Sequence, residues 1–121
     1  MKRTSLISAL IVAATAFAAP ASANDVFIDQ FGIGNVAGGG QNGLFNELII
    51  LQQGDGSTSI ITQDGLGNLA GSSQTGNDHF SETNQAGALN TSTTIQSGSG
   101  CGASSNQTGF GNTVAIIQNC P

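Results

Sequence analysis

From residue 24 onwards, small or apolar side chains alternate with polar ones in short bursts, and each burst ends on a glutamine followed closely by a glycine. Residues i, i+2 and i+4 of a strand share a face. The stretch 46 to 52 therefore puts Asn46, Leu48, Ile50 and Gln52 on one side, with Ile49 and Leu51 on the other. The same alternation runs through 24 to 30, 35 to 41, 46 to 52, 57 to 63, 68 to 74, 79 to 85, 90 to 96, 101 to 107 and 112 to 118, which predicts nine short strands. Glycine-rich links such as Gly32-Ile33-Gly34, Gly54-Asp55-Gly56 and Gly65-Leu66-Gly67 separate them, as expected where the backbone reverses with φ above zero.

The bursts are copies of one unit. Glutamine recurs every eleven residues, at Gln30, Gln41, Gln52, Gln63, Gln74, Gln85, Gln96, Gln107 and Gln118, and only Gln53 is off phase. Two residues later stand Gly32, Gly43, Gly54, Gly65, Gly76, Gly87, Gly98 and Gly109, with Cys120 after the last glutamine. The first position of each strand is mostly asparagine: Asn24, Asn35, Asn46, Asn68, Asn90 and Asn112, with Ser57, His79 and Cys101 at the remaining places. A fixed short period marks a stacked repeat.

An eleven-residue strand and turn has no partner for its inner face, but two of them folded as an arch do. The third residue after each glutamine shows the doubling. It is Leu44, Leu66, Ala88 and Phe110 on alternate turns, and Ile33, Asp55, Asn77 and Ser99 on the others. One column is apolar and the other mostly polar, so the structural period is 22. The predicted fold is all-β: a parallel β-solenoid, a two-sheet β-arch stack of about 4.5 rungs with two strands per rung and rungs about 4.8 Å apart. One sheet turns Val26, Leu48, Ala70, Ser92 and Val114 inwards, with Ile28, Ile50, Ser72, Thr94 and Ile116. The other offers Ala37, Ser59, Ser81 and Ala103, with Gly39, Ile61, Thr83 and Ser105. That core is about half polar, so the glutamines and asparagines are expected to hydrogen-bond up and down their own columns as amide ladders.

Charge narrows the partners. Lys2 and Arg3 are the only basic residues besides His79, and they precede an apolar run over 6 to 19 and an Ala21-Ser22-Ala23 motif. This reads as a signal peptide over 1 to 23, cleaved to leave a domain over 24 to 121; the run is too short to span a bilayer. What remains is acidic (Asp25, Asp29, Glu47, Asp55, Asp64, Asp78, Glu82) with no Lys or Arg, which argues against nucleic acid and direct membrane insertion.

The unit Gln-x-Gly-x-x-Asn-x-Ala-x-x-x-Gln, unbroken in Gln30, Gly32, Asn35, Ala37, Gln41 and in Gln63, Gly65, Asn68, Ala70, Gln74, resembles the curlin repeat of bacterial curli fibre subunits. The resemblance covers nearly all of 24 to 121. It implies a structural subunit of an extracellular amyloid fibre of the biofilm matrix, mediating adhesion, with the major-subunit role favoured over nucleator. It also implies a head-to-tail homopolymer, a nucleator partner, an outer-membrane export pore, and a route through the periplasm to the cell surface. Two features depart from the family. The first strand follows the signal peptide without an intervening segment, and nine strands leave one sheet a strand short at each head-to-tail junction.

Candidate chemistry is sparse. Cys101 and Cys120 fall in the same turn region, where a disulfide and two free thiols remain open alternatives. His79 stacks beside Cys101, but zinc takes four ligands and a thiolate nucleophile needs an oriented base, so both residues read as substitutions in the asparagine column. No carboxylate pair or phosphate loop is present in the sequence, and neither enzymatic activity nor a cofactor or metal is expected. The alternative function is an ice-binding or other surface-adhesin solenoid that stays monomeric. Thr91 with Thr93 and Thr58 with Thr62 hint at it, against outward Phe27, Ile49, Leu69 and Glu82.

Overall fold

The structure is a computed structural model and describes residues 24 to 121. The signal peptide expected over 1 to 23 lies outside the described residues. Nine strands follow one another: β1 (Asp25–Phe31), β2 (Val36–Leu44), β3 (Glu47–Gln53), β4 (Thr58–Leu66), β5 (Leu69–Asn77), β6 (Phe80–Ala88), β7 (Thr91–Ser99), β8 (Gly102–Phe110) and β9 (Thr113–Asn119). Odd-numbered strands form a five-stranded sheet and even-numbered strands a four-stranded one. All neighbours are parallel and offset by one rung, for example Leu48 with Ala70 and Ser59 with Ser81. The chain is thus a parallel β-solenoid of 22-residue rungs, with glutamine on glutamine and glycine on glycine in each column.

The strands are longer than the alternation suggested, and the turns are correspondingly shorter. Each strand begins one residue later than expected and runs past its glutamine. In β4, β6 and β8 it continues through Gly65, Gly87 and Gly109 to the residue beyond. These glycines are ladder positions with an unusual backbone. Gly65 has φ of 124°, and a Cβ there would come within 1.8 Å of the Gly87 carbonyl oxygen one rung on. Both the positive φ and the close approach of rungs require glycine. Two residues later a second left-handed column closes the turn, with Gly56, Gly67, Gly100 and Gly111 beside Phe45, Asp78 and Leu89 at φ of 56° to 57°. A side chain in that region costs roughly 1–2 kcal/mol.

The interior follows the expected inward faces, but unevenly. Leu48, Ile50, Ile61 and Ala70 form one apolar cluster under full cover. Val26 and Ile28 occupy equivalent positions in β1 yet are 56% and 42% exposed, because among the described residues no rung precedes them. Towards the C-terminal end the same positions carry Ser72, Ser81, Thr83, Ser92, Thr94 and Ser105, all buried. Ser92 donates to or accepts from Ser105 at 3.1 Å, whereas the hydroxyls of Ser59, Ser72, Ser81, Thr83 and Thr94 have no partner. Each unpaired buried hydroxyl forfeits about 1–3 kcal/mol of hydration. The middle of the stack is therefore held by its backbone and amide ladders more than by its core.

Thr83→Val keeps the shape and removes an unpaired hydroxyl, so it is expected to stabilise the fold by about 1 kcal/mol. Ile61→Ala is expected to cost about 2–5 kcal/mol. Denaturant unfolding midpoints of residues 24 to 121 compare the two. Leu89→Gly, which relieves a left-handed side chain, is expected to raise the midpoint by the equivalent of about 1 kcal/mol.

Candidate functional site: amide columns and open edges

The nine ladder glutamines lie in two columns, one per sheet. Each side-chain amide Nε2 donates to the Oε1 of the glutamine one rung later, at 2.6 to 3.0 Å from Gln30 through to Gln118. The second N–H crosses to the other sheet. Gln52 donates to the Val36 carbonyl and Gln63 to the Glu47 carbonyl, and Gln41, Gln74, Gln85, Gln96 and Gln107 do the same, at 2.9 to 3.1 Å. One carboxamide thus ties its own sheet along the axis and clamps the two sheets across the core. The alternation alone indicated the column but not the cross-sheet bond, whose acceptor lies sixteen residues earlier.

The asparagines also bond along their column, but through backbone groups. They do not form a chain of side-chain amide bonds; their partners are mostly backbone groups. The Oδ1 of Asn24, Asn35, Asn46, Asn68 and Asn90 accepts the backbone N–H of the equivalent residue one rung on, at 3.0 to 3.1 Å. The Nδ2 donates to a ladder-glycine carbonyl nineteen residues later, as Asn46 does to Gly65 at 3.1 Å. It donates also to the carbonyl four residues back, as Asn46 does to Asn42 at 3.1 Å. Only Asn112 adds a side-chain bond to its neighbour, Asn90 Oδ1, at 3.1 Å. The physical reason is reach: asparagine is one methylene shorter than glutamine and sits against the turn, where free carbonyls lie nearer than the next amide.

The substitutions in this column keep part of its bonding. His79 is buried; its Nδ1 accepts the Cys101 backbone N–H at 3.2 Å, and its Nε2 lies 3.1 Å from the Thr75 carbonyl. A carbonyl takes only a donor, so the ring carries its proton on Nε2 and performs two of the three tasks of the asparagine it replaces, accepting the next rung's N–H and donating four residues back. Cys101 and Cys120 are joined by a disulfide. Their separation of nineteen residues is that of the Asn-to-Gly hydrogen bonds, so the bridge stands where Asn90 to Gly109 is joined by a hydrogen bond. Spacing between equivalent asparagines and glycines was the available signal for this pairing.

Among the described residues, the columns stop at both ends of the stack. β1 and β2 face one end, β8 and β9 the other, and each leaves half of its backbone groups unpaired. The amides are polar along the axis: Nε2 always points to the later rung. Beyond Gln118 no further member receives a bond, and at the opposite end Gln41 Oε1 is buried without a partner. Elsewhere the outer face of the five-stranded sheet carries a shallow apolar dent lined by Ile49, Leu51, Leu69 and Ile95 around Gly71. Among the described residues no group of three or more His, Cys, Asp or Glu could hold a metal ion, and no helix is long and apolar enough to cross a membrane. No protein-family model matches the chain, and no curated protein matches it.

His79→Asn is expected to leave stability nearly unchanged, whereas His79→Leu strands the Cys101 N–H and the Thr75 carbonyl and costs about 1–3 kcal/mol for each group left buried. Reducing the disulfide is expected to loosen β9 by about 3 kcal/mol, the loop-closure value for a bridge of this span. The double variant C101N/C120G restores the Asn-to-Gly bond and is expected to recover part of that loss. Hydrogen exchange over 113 to 119 reads all of these.

Proposed function

We propose that the chain is a structural subunit of an extracellular fibre of the curli type, a functional amyloid that polymerises by strand templating at its two open edges. The observation that carries this reading is the pair of uncovered ends. Most soluble β-proteins cover or charge such edges. Among the described residues the end strands expose unpaired backbone, an unfinished amide column and the apolar residues Val26 and Ile28. Another copy supplies what each end lacks: parallel strands with glutamine, asparagine and glycine at the same spacing.

The repeat pattern quoted above adds the biological setting. In that setting the subunit leaves through an outer-membrane pore, elongates from a nucleator and serves adhesion and matrix formation at the cell surface, with the major-subunit role favoured. An acidic, lysine- and arginine-free surface keeps unassembled chains apart, which suits export before polymerisation. Asp55 and Asp64 lie in or next to turns, where they accept the Ile33 N–H and an Asn42 amide, and so add charge without opening the ladder.

Purified residues 24 to 121 are expected to form unbranched, dye-binding fibres after a lag, and preformed fibres are expected to abolish the lag. A chain that stays monomeric for days at high concentration overturns the reading in favour of the monomeric ice-binding or adhesin solenoid, which a thermal-hysteresis assay then tests. Gln52→Ala removes two axial bonds and a cross-sheet bond together, so it is expected to slow fibre growth about tenfold or more, equivalent to at least about 1.4 kcal/mol. Asp64→Ala is expected to change growth less than Gln52→Ala does.

A further inference from the structure

We infer that successive copies of this chain join with a half-turn about the solenoid axis, so that β1 of one copy seats on β8 of the copy before it and β2 seats on β9. This rests on the reading that the chain polymerises through its open edges. Without rotation, β1 seats on β9, and β8 and β2 are left facing each other across an empty strand position, because the sheets hold five and four strands. A half-turn exchanges the sheets. Every strand carries its glutamine and glycine at the same places, so the exchange keeps the columns in register while the odd strand fills the gap.

Four features of the ends favour the rotated junction over the direct one. The first is the orphaned acceptor. Gln41 heads the column of the four-stranded sheet, and its Oε1 is buried without a partner. Rotation brings Gln118 of the preceding copy beneath it, with the Nε2 that has no later glutamine in its own chain. Gln107 likewise meets Gln30. In the direct junction Gln118 meets Gln30, and Gln41 still faces the empty position.

The second is the turn. Ile33 heads a column that continues with the polar Asp55, Asn77 and Ser99 and ends at Pro121, on which the direct junction would stack it. It is 80% exposed, and Phe110, the last member of the apolar column, is 75% exposed. Rotation stacks Ile33 on Phe110 and so extends Leu44, Leu66, Ala88 and Phe110 by one apolar residue.

The third is side-chain size. Inside the chain the large pair Leu48 and Ile50 packs against Ile61 from the other sheet, with small residues Ala37, Gly39, Ala70 and Ser72 in the flanking layers. At the rotated junction Val114 and Ile116 pack against Val26 and Ile28, and the flanking layers are again small: Ala103 and Ser105 on one side, Ala37 and Gly39 on the other. The junction thus rebuilds an apolar cluster like the one found among the described residues, from residues that its own ends leave exposed or half-buried. The fourth is the outer surface, where rotation sets Asp29 beside Asn106, whereas the direct junction sets it beside Ile117.

Two double variants distinguish the junctions. Phe27 and Ser104 lie on the outer faces of opposite sheets within a chain, and become strand neighbours only across the rotated junction. Phe27 and Ala115 become neighbours only across the direct one. Phe27→Cys with Ser104→Cys, and Phe27→Cys with Ala115→Cys, are assembled with the native bridge already formed, then mildly oxidised, dissolved and run on a non-reducing gel. Neighbouring parallel strands bring Cα atoms to about 4.8 Å, within disulfide range. A ladder of covalent oligomers is expected from the first variant and monomer from the second. A ladder from the second variant, or from neither while fibres form, overturns the half-turn.

Electron microscopy of unsubstituted fibres gives an independent reading. The half-turn requires 180° of rotation and an axial rise of about 22 Å per subunit, that is four and a half strand spacings. A rise of roughly 24 Å without rotation means direct stacking and overturns the inference. Absence of any fibre from the unsubstituted chain is a different result, and overturns the edge-templating reading itself.

Discussion

The structure depends on a carboxamide that bonds in two directions at once. A glutamine amide has two N–H donors. In this chain one is spent along the axis on the next glutamine and the other across the core on the opposite strand, as at Gln52 with Gln74 and Val36. The axial bond holds the rung spacing, and the cross-sheet bond holds the two faces at the separation that the narrow core can fill. Because every amide points the same way, the column has a donor end and an acceptor end, and that polarity is what makes one end of the molecule complementary to the other.

A core of this kind tolerates poor filling. Leu48, Ile50, Ile61 and Ala70 bury fully, yet an equal length of the stack is lined by serine and threonine, with several hydroxyls unpaired. Such an interior would fail in a protein that relied on apolar burial alone. Here the ladders carry the order, and the glycine column permits it. A Cβ at Gly65 would strike the carbonyl of Gly87, so rungs reach hydrogen-bonding distance only where that atom is missing. The same logic explains why irregular members of the asparagine column persist. His79 offers an acceptor upwards and a donor backwards, and the Cys101–Cys120 bridge joins the two positions that asparagine and glycine join elsewhere. What these positions need is the connection, which different chemistries supply.

Much of this was legible in the residues. The period of eleven, the alternation within each unit and the apolar and polar turn columns are local or nearest-copy properties, because a stacked repeat brings together residues at a fixed sequence offset. The strand ends were less legible. Alternation ended each strand at its glutamine, but pairing continued to Leu66 in β4 and Ala88 in β6, since a glycine at positive φ can remain in a ladder when its equivalents lie directly above and below. The asparagines do bond along their column, but the groups they use were not legible for a related reason: the pattern identifies a column, and says nothing about whether its side chains reach each other or the nearer backbone.

The sequence by itself determined the solenoid, its 22-residue rung and which side chains face inwards, because those follow from period and parity. Tertiary structure alone decided where each amide spends its second proton, that the asparagines bond mostly to backbone groups of the next rung and of the turns, and that Gln41 ends a column with an empty acceptor. These are matters of distance and direction between atoms on different rungs and sheets. A one-dimensional pattern orders such atoms into columns, but only the packed chain sets how far apart they lie and which way they point.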